Sequence, residues 1–321
     1  MNAGEQTSVA VVDIGSNSIK VLVATRAPDG GVTPLHQRTI DARISAGISQ
    51  SSPRLGEDGM ARGLEAIRAL LAEIAPFKPA RVELVATSAV RDAQNGAEFR
   101  ARILHATGRE IRILSGDEEA DLIGRGLAAD PALAGLRDFY VFDLGGGSLE
   151  CLAFRNRHVT QAVSLQLGCV RLMEKFTRDT AAPFPDVLQT RIAAHVRSVF
   201  AQSAFEFDLP AGAIAVGTGG TMTTVRAIDG ARAGKSLAAT DPRLALSLLR
   251  ELLACLAALP LAERREIPGL PPARADVFPT ALATMIAVAE LGNFSAFRHS
   301  ISNLRYGLAA ELLASPPPQT I

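Results

Sequence analysis

The chain has 321 residues, 48% of them hydrophobic, and 33 basic residues balance 33 acidic ones. That length and composition predict a sizeable core, divided more naturally between two domains than held in one. The zero net charge excludes a global field that would draw the protein onto nucleic acid or a membrane surface, so an anionic ligand must be held by local groups.

In chain order, VAVVDIGSNSIKVLVAT (Val9–Thr25) reads as strand, tight loop, strand, closed by the turn formers at 27–31. An amphipathic helix opens at residues 58–60, places Leu64, Ile67, Leu70, Leu71 and Ile74 on one stripe, and stops at the ProPheLysPro segment 76–79. A strand at 81–86, a helix near Gly96–Leu104, a strand at 111–115 and a helix at Asp117–Leu127 complete an alternating first half, which predicts a mixed α/β domain. The domain border is expected near Ala128–Leu136, giving domains 1–130 and 131–321. The second half opens on YVFDLGGGSLECLAF (Tyr140–Phe154), again strand, loop, strand. It continues with a helix striped by Val187, Leu188, Ile192, Val196 and Phe200, a strand at 213–216, and helices at Leu244–Leu256 and Phe278–Leu291. Residues 266–273 read as a Pro-rich loop and 315–320 as a short tail; a last helix, about 304–314, is expected to pack back on the first domain.

Cys151, Cys169 and Cys255 are widely spaced in apolar sequence, which suits reduced, buried thiols. The first residues carry no leader pattern, and no segment approaches the roughly eighteen apolar residues of a membrane span. The expectation is a cytoplasmic protein without nucleic-acid or membrane partners.

The two hairpins are copies of one another. They superimpose without a gap: Asp13 falls on Asp143, Gly15 on Gly145, Ser18 on Ser148, and Lys20 on Glu150. A repeat at this distance suggests two related domains that open on the same element. Neither loop is a Walker A or Rossmann fingerprint, since strands follow them rather than helices. Small residues let backbone N–H groups converge on an anion, so the duplicated Asp-x-Gly pattern points to phosphate. A bare requirement for tight turns is the competing explanation.

Asp143 and Glu150 flank the second loop. Two carboxylates beside a phosphate repel it unless a cation lies between them, so they are the expected ligands of Mg²⁺ or another divalent ion. The segment SerGlyAspGluGlu (115–119) runs from a strand end into a helix, where a base for an attacking water could stand; helix geometry leaves Glu118 and Glu119 unranked, and acids in a first turn are also common for dipole reasons. Arg91 follows another strand end and offers a planar fork for phosphate oxygens. GlyThrGlyGlyThr (217–221) forms a third small-residue loop ahead of a helix, able to receive an anion or simply to turn the chain. The five histidines show no paired spacing, and neither a His-built metal site nor an acyl-transfer triad is supported.

These segments together resemble the Ppx/GppA phosphatase family, the exopolyphosphatases and guanosine pentaphosphate phosphohydrolases of the actin-like ATPase superfamily. The resemblance rests on residues 11–18, 85–95, 114–120, 142–150, 167–172 and 217–221 in order. It implies an α/β fold of two ribonuclease-H-like domains with an interdomain cleft, and it implies Glu119 as the catalytic base with Asp143 and Glu150 on Mg²⁺. It further implies phosphate contacts from Asp13, Gly15, Ser16, Asn17, Ser18, Lys20, Arg91, Gly145, Gly146, Gly147, Ser148, Arg171, Gly217, Thr218, Gly219 and Gly220. A homodimer is implied as well. The chain departs from the family pattern at Leu149, where a threonine is usual, at Asp121, where an arginine is common, and at Lys20, a place often filled by arginine.

The expected function is a Mg²⁺-dependent exopolyphosphatase that releases terminal orthophosphate from inorganic polyphosphate by water attack. The alternatives are a guanosine pentaphosphate phosphohydrolase, for which the low aromatic content advertises no guanine pocket, and a non-hydrolytic sensor that binds guanosine penta- or tetraphosphate. A sugar or acetate kinase of the same superfamily would need an acceptor site and an adenosine pocket, hinted at only by residues 217–221.

Overall fold

A computed structural model describes residues 7–28, 30–45 and 52–315, so the first six residues and the tail beyond Ser315 lie outside the described residues. The chain divides into two compact units. One gathers the residues up to Gly135 with the chain from Ser302 onward, and the other is Leu136–Ile301. The chain passes from one unit to the other at Gly135 and Leu136, and the final helix groups with the first unit.

In the first unit, β1 (Ser8–Ile14), β2 (Ile19–Arg26) and β3 (Val32–Ile40) form an antiparallel meander. Then follow α1 (Glu57–Ile74), β4 (Arg81–Ala86), α2 (Ser88–Arg91), α3 (Gly96–Thr107), β5 (Ile111–Ile113) and α4 (Gly116–Ala128). β4 lies parallel to β1 and β5 parallel to β4, giving the sheet order β3-β2-β1-β4-β5. One face carries Val12, Ile14 and Val21 against Ile67, Leu70, Phe99 and Ile103 of α1 and α3. Each such buried side chain contributes roughly 1.5–3 kcal/mol. The stripe read from the sequence is sound, with Leu64 and Leu71 at its half-buried margin.

The second unit repeats the plan. β6 (Phe139–Leu144), β7 (Leu149–Arg155) and β8 (His158–Leu165) form the meander, followed by α5 (Cys169–Phe176), α6 (Asp186–Ala201), β9 (Ile214–Thr218), α7 (Gly219–Arg232), β10 (Arg243–Ala245), α8 (Leu246–Ala257), α9 (Leu261–Arg264), α10 (Phe278–Leu291) and β11 (Ala296–His299). The order is β10-β11-β9-β6-β7-β8, with β9 parallel to β6, β11 parallel to β9, and β10 added antiparallel at the edge. Tyr140, Phe142, Phe297 and Leu244 meet Ile192, Leu252, Phe278 and Met285 of the helices in one core.

The last helix, α11 (Leu304–Ala314), packs on α4, β1 and β2. The close crossing depends on two glycines. A Cβ at Gly126 would collide with the Asn303 carbonyl, and one at Gly307 with the Leu122 carbonyl, so the helices touch backbone to backbone.

Several elements differ from the sequence reading. β3, β8, β11 and α5 were not expected: β3 and β8 are outer strands whose exposed positions dilute the apolar alternation. Leu244 lies in β10, two residues before its helix, because β10 completes the sheet edge on β11. Val187 is 61% exposed, so the stripe of α6 begins at Leu188. Cys255 is exposed, whereas Cys151 and Cys169 are buried, and all three are free thiols. Among the described residues, no helix is long and apolar enough to cross a membrane.

Candidate active site

In the first unit the β1–β2 loop closes with the Gly15 N–H donating to the Ser18 carbonyl at 3.1 Å. The segment after β3 then latches on: the Arg43 N–H donates to the Asn17 carbonyl at 2.9 Å and the Ser45 N–H to the Ser16 carbonyl at 3.3 Å. With its carbonyls spent on this latch, the loop keeps the N–H groups of Ser16 and Asn17 without a partner among the described residues. The Asn17 side chain accepts from Arg43 Nε at 3.3 Å, yet its Nδ2 is buried and unpartnered, as is the Ser45 hydroxyl. Buried donors are seldom left unsatisfied, so this cluster fits an anion bound at the loop. Arg43 sits at φ 40°, a left-handed conformation costing about 1–3 kcal/mol that persists where surroundings enforce it.

Parallel pairing of β1 with β4 places this loop beside α2, where Ser16 and Ser88 hydroxyls are 3.3 Å apart. Arg91, at the end of α2, donates from Nη1 to the Leu114 carbonyl at 3.0 Å and to Glu119 Oε2 at 3.4 Å, and from Nε to Asp92 at 3.2 Å. The structure separates the two glutamates of α4. Glu118 is consumed by a capping box: Ser115 Oγ accepts from the Glu118 N–H, and Glu118 accepts from the Ser115 N–H at 2.8 Å and from Arg112 at 3.1 Å. The Ser115 N–H first, and then Arg112, hold its carboxyl below the usual carboxylate range. Glu119 instead turns inward, is 7% exposed, and faces Arg91.

In the second unit the matching loop closes with the Gly145 N–H on the Ser148 carbonyl at 3.0 Å. Its latch is the start of α5. The N–H of Cys169 reaches the Gly145 carbonyl at 3.0 Å, that of Val170 reaches Gly146 at 2.9 Å, and Arg171 Nε reaches Gly147 at 2.8 Å. Once more the carbonyls are occupied and the N–H groups of Gly146 and Gly147 have no partner among the described residues. Arg171 is therefore at least partly a brace under the loop.

Asp143 and Glu150 stand directly opposite each other across β6 and β7, on the same face. Glu150 is 2% exposed and accepts from the Ser164 hydroxyl at 2.9 Å. Burial pushes the neighbouring Cys151 thiol well up, with the Glu150 charge adding to the effect, which keeps it unreactive. β6–β9 pairing sets Asp143 against Thr218, and the carboxylate rests on Gly219 at the head of α7. Gly219 has φ +80°, and a Cβ there would strike Asp143 Oδ1, so only glycine serves. The Arg274 guanidinium lies against Gly220 in the same way, buried, with Nε unpartnered. Gly217 has a packing reason for its size, since Met222 covers it.

The predicted residues thus gather in two groups. Asp13, Gly15, Ser16, Asn17, Ser18, Lys20, Arg91 and Glu119 lie at the ends of β1 and β4 and the start of α4; Asp143, residues 145–148, Glu150, Arg171 and residues 217–220 lie at the ends of β6 and β9 and their loops. Arg43, Ser45 and Arg274 were missed. Arg43 and Ser45 follow an unrecognised strand, and Arg274 hides in a Pro-rich stretch where a buried arginine leaves no periodic trace. As to a metal, Asp143, Glu150 and the Ser164 hydroxyl form an all-oxygen donor set. Two carboxylates plus phosphate oxygens and water suit Mg²⁺, and among the described residues no group of three or more His, Cys, Asp or Glu side chains offers a fuller cage.

Two mixed sheets of one plan, each headed by a matching small-residue loop and flanked by helices, define a duplicated α/β protein. The Ppx/GppA phosphatase family matches residues 22–315, and the chain belongs to that family of phosphatases. The first loop, at residues 15–18, precedes the matched span. Among solved structures, an exopolyphosphatase from Cytophaga hutchinsonii is 23% identical, with 96% of this chain and 98% of that one covered and a TM-score of 0.85. An exopolyphosphatase-like protein is 25% identical over 96% and 98%, with a TM-score of 0.84. The PPX-GPPA enzyme of Aquifex aeolicus is 24% identical over 95% and 99%, with a TM-score of 0.74.

Proposed function

We propose that the protein is a Mg²⁺-dependent exopolyphosphatase of the cytoplasm. The carrying observation is the pair of matched loops whose carbonyls are spent and whose N–H groups are not, the second of them headed by two facing carboxylates. The N–H groups of Ser16, Asn17, Gly146 and Gly147 bind phosphate oxygens, with Lys20, Arg91, Arg43 and Arg274 supplying positive charge. Asp143 and Glu150 hold the divalent ion. When bound, it neutralises charge on the phosphates.

Phosphoryl transfer passes through a loose transition state that needs positioning and charge stabilisation more than covalent help. Glu119 orients a water in line with the terminal phosphorus and takes its proton. The water oxygen bonds to phosphorus, the bridging P–O bond breaks, and its electrons leave with a chain one phosphate shorter. Arg91, 3.4 Å from Glu119, fixes that carboxylate's direction and can turn to the transferring group. Support for polyphosphate over guanosine pentaphosphate is compositional: the chain has no Trp and two Tyr, and Tyr140 and Tyr306 are both buried.

Phosphate release from long polyphosphate and from guanosine pentaphosphate, with Mg²⁺ or with chelator, for wild type and Glu119→Ala, is the deciding experiment. Mg²⁺-dependent release from polyphosphate that disappears in the variant is expected. Release from guanosine pentaphosphate alone would replace the substrate, and tight binding of guanosine tetraphosphate without any release would leave a sensor.

A further inference from the structure

The second unit carries a cavity of about 740 Å³ at the end of its sheet remote from the loops, lined where β6, β9 and β11 begin. That volume lies within the range of small-molecule sites. Along β9 its lining ends at Ala215, three residues or roughly 10 Å short of Thr218. It is lined solely by residues of the second unit.

Two arginines mark its chemistry. Arg243 and Arg298 are directly opposite in the antiparallel β10–β11 pair, so both guanidinium groups leave the same face of the sheet edge. Like charges in that position destabilise the pair. Among the described residues neither guanidinium has a hydrogen bond or an ion pair. The other charged group lining the cavity, Asp241, accepts from the Arg243 backbone N–H at 2.8 Å. Phe207, half-buried, forms an apolar wall, stacked at its edge against Phe294 and Tyr140 at 5.9 and 5.5 Å between centroids. The Tyr140 hydroxyl is occupied by the Leu209 N–H at 2.7 Å, so this wall presents ring rather than polar surface.

An excess of positive charge with no protein partner, beside an aromatic wall in a cavity of this size, is the complement of an organic phosphate. We propose that the cavity binds a phosphate ester with a planar body, the chemistry of a nucleoside monophosphate, its phosphate across Arg243 and Arg298 and its ring against Phe207. The site is separate from the candidate active site and stands or falls without it.

Calorimetric titration of the full chain with adenosine 5′-monophosphate, adenosine and inorganic phosphate tests this. The nucleotide is expected to bind at least tenfold more tightly than either fragment. Arg298→Gln and Arg243→Gln should each weaken it at least tenfold, while Arg91→Gln, in the other site, leaves it unchanged. Neither cavity variant should lower the melting temperature of the ligand-free protein, since neither guanidinium has a partner to lose. No nucleotide binding at millimolar concentration, equal binding by inorganic phosphate, unchanged binding in both cavity variants, or loss of binding in Arg91→Gln would each overturn the proposal.

Discussion

The two hairpins share one backbone and differ in one charge. Asp13 faces Lys20 across β1 and β2, whereas Asp143 faces Glu150 across β6 and β7, at equivalent register. Both loops close on the same backbone bond, and both are latched through their carbonyls by a following segment. On the proposed reading, the duplicated scaffold supplies two turns for anions, and a single position decides their chemistry. An opposite-charge pair is self-sufficient and leaves its loop to phosphate; a like-charge pair invites a cation between it and the ligand.

The largest effect should come from the residue proposed as the general base. Glu119→Gln is expected to lower phosphate release by roughly 10²–10⁴-fold, the usual span for a general base, with the melting curve nearly unmoved; undiminished turnover would remove it from the chemistry. Next, Glu150→Gln tests the like-charge pair through two readings of opposite sign. Activity and divalent-ion affinity should fall, while stability measured in chelator should rise by roughly 0.2–1 kcal/mol as the repulsion is relieved. A variant that is less stable in chelator yet keeps its metal response would break the contrast between the hairpins.

A control away from both loops sharpens the comparison. Gly126→Val should cost about 1–3 kcal/mol by overpacking the α4–α11 crossing, and because α4 carries Glu119, activity should drop with it; denaturant titration and turnover measured together would show whether they move together. Lys20→Gln removes an attractive cross-strand pair and should destabilise by roughly 0.2–1 kcal/mol, the reverse sign of Glu150→Gln. A gain in stability there would mean the two pairs do not differ as described. The smallest effect concerns Glu118. Its carboxyl is depressed in the folded protein, so its contribution is present above the unfolded value of about 4.3 and is lost as pH falls through the folded value. Glu118→Gln should therefore matter least at acid pH and cost roughly 0.5–1 kcal/mol near neutrality, read from melting temperatures across pH.

Much of this was legible in the residues themselves. The duplicated Asp-x-Gly pattern marked two related units, and the loops fold as the tight turns their small residues allow. Long periodic elements such as α1 and α10 emerged at nearly their observed bounds. Short strands did not, because β10 and β11 owe their existence to neighbours rather than to their own alternation.

Local pattern determined the long helices, the paired hairpin strands and the glycine turns, since backbone geometry and side-chain periodicity act over a few residues. Only the tertiary structure decided that Glu118 caps its helix while Glu119 turns inward to Arg91, that Arg43 and Arg274 reach the loops, and that α11 belongs to the first unit. Those outcomes depend on which remote segments compete for a given hydrogen-bonding group, and that competition is settled when the sheets pack.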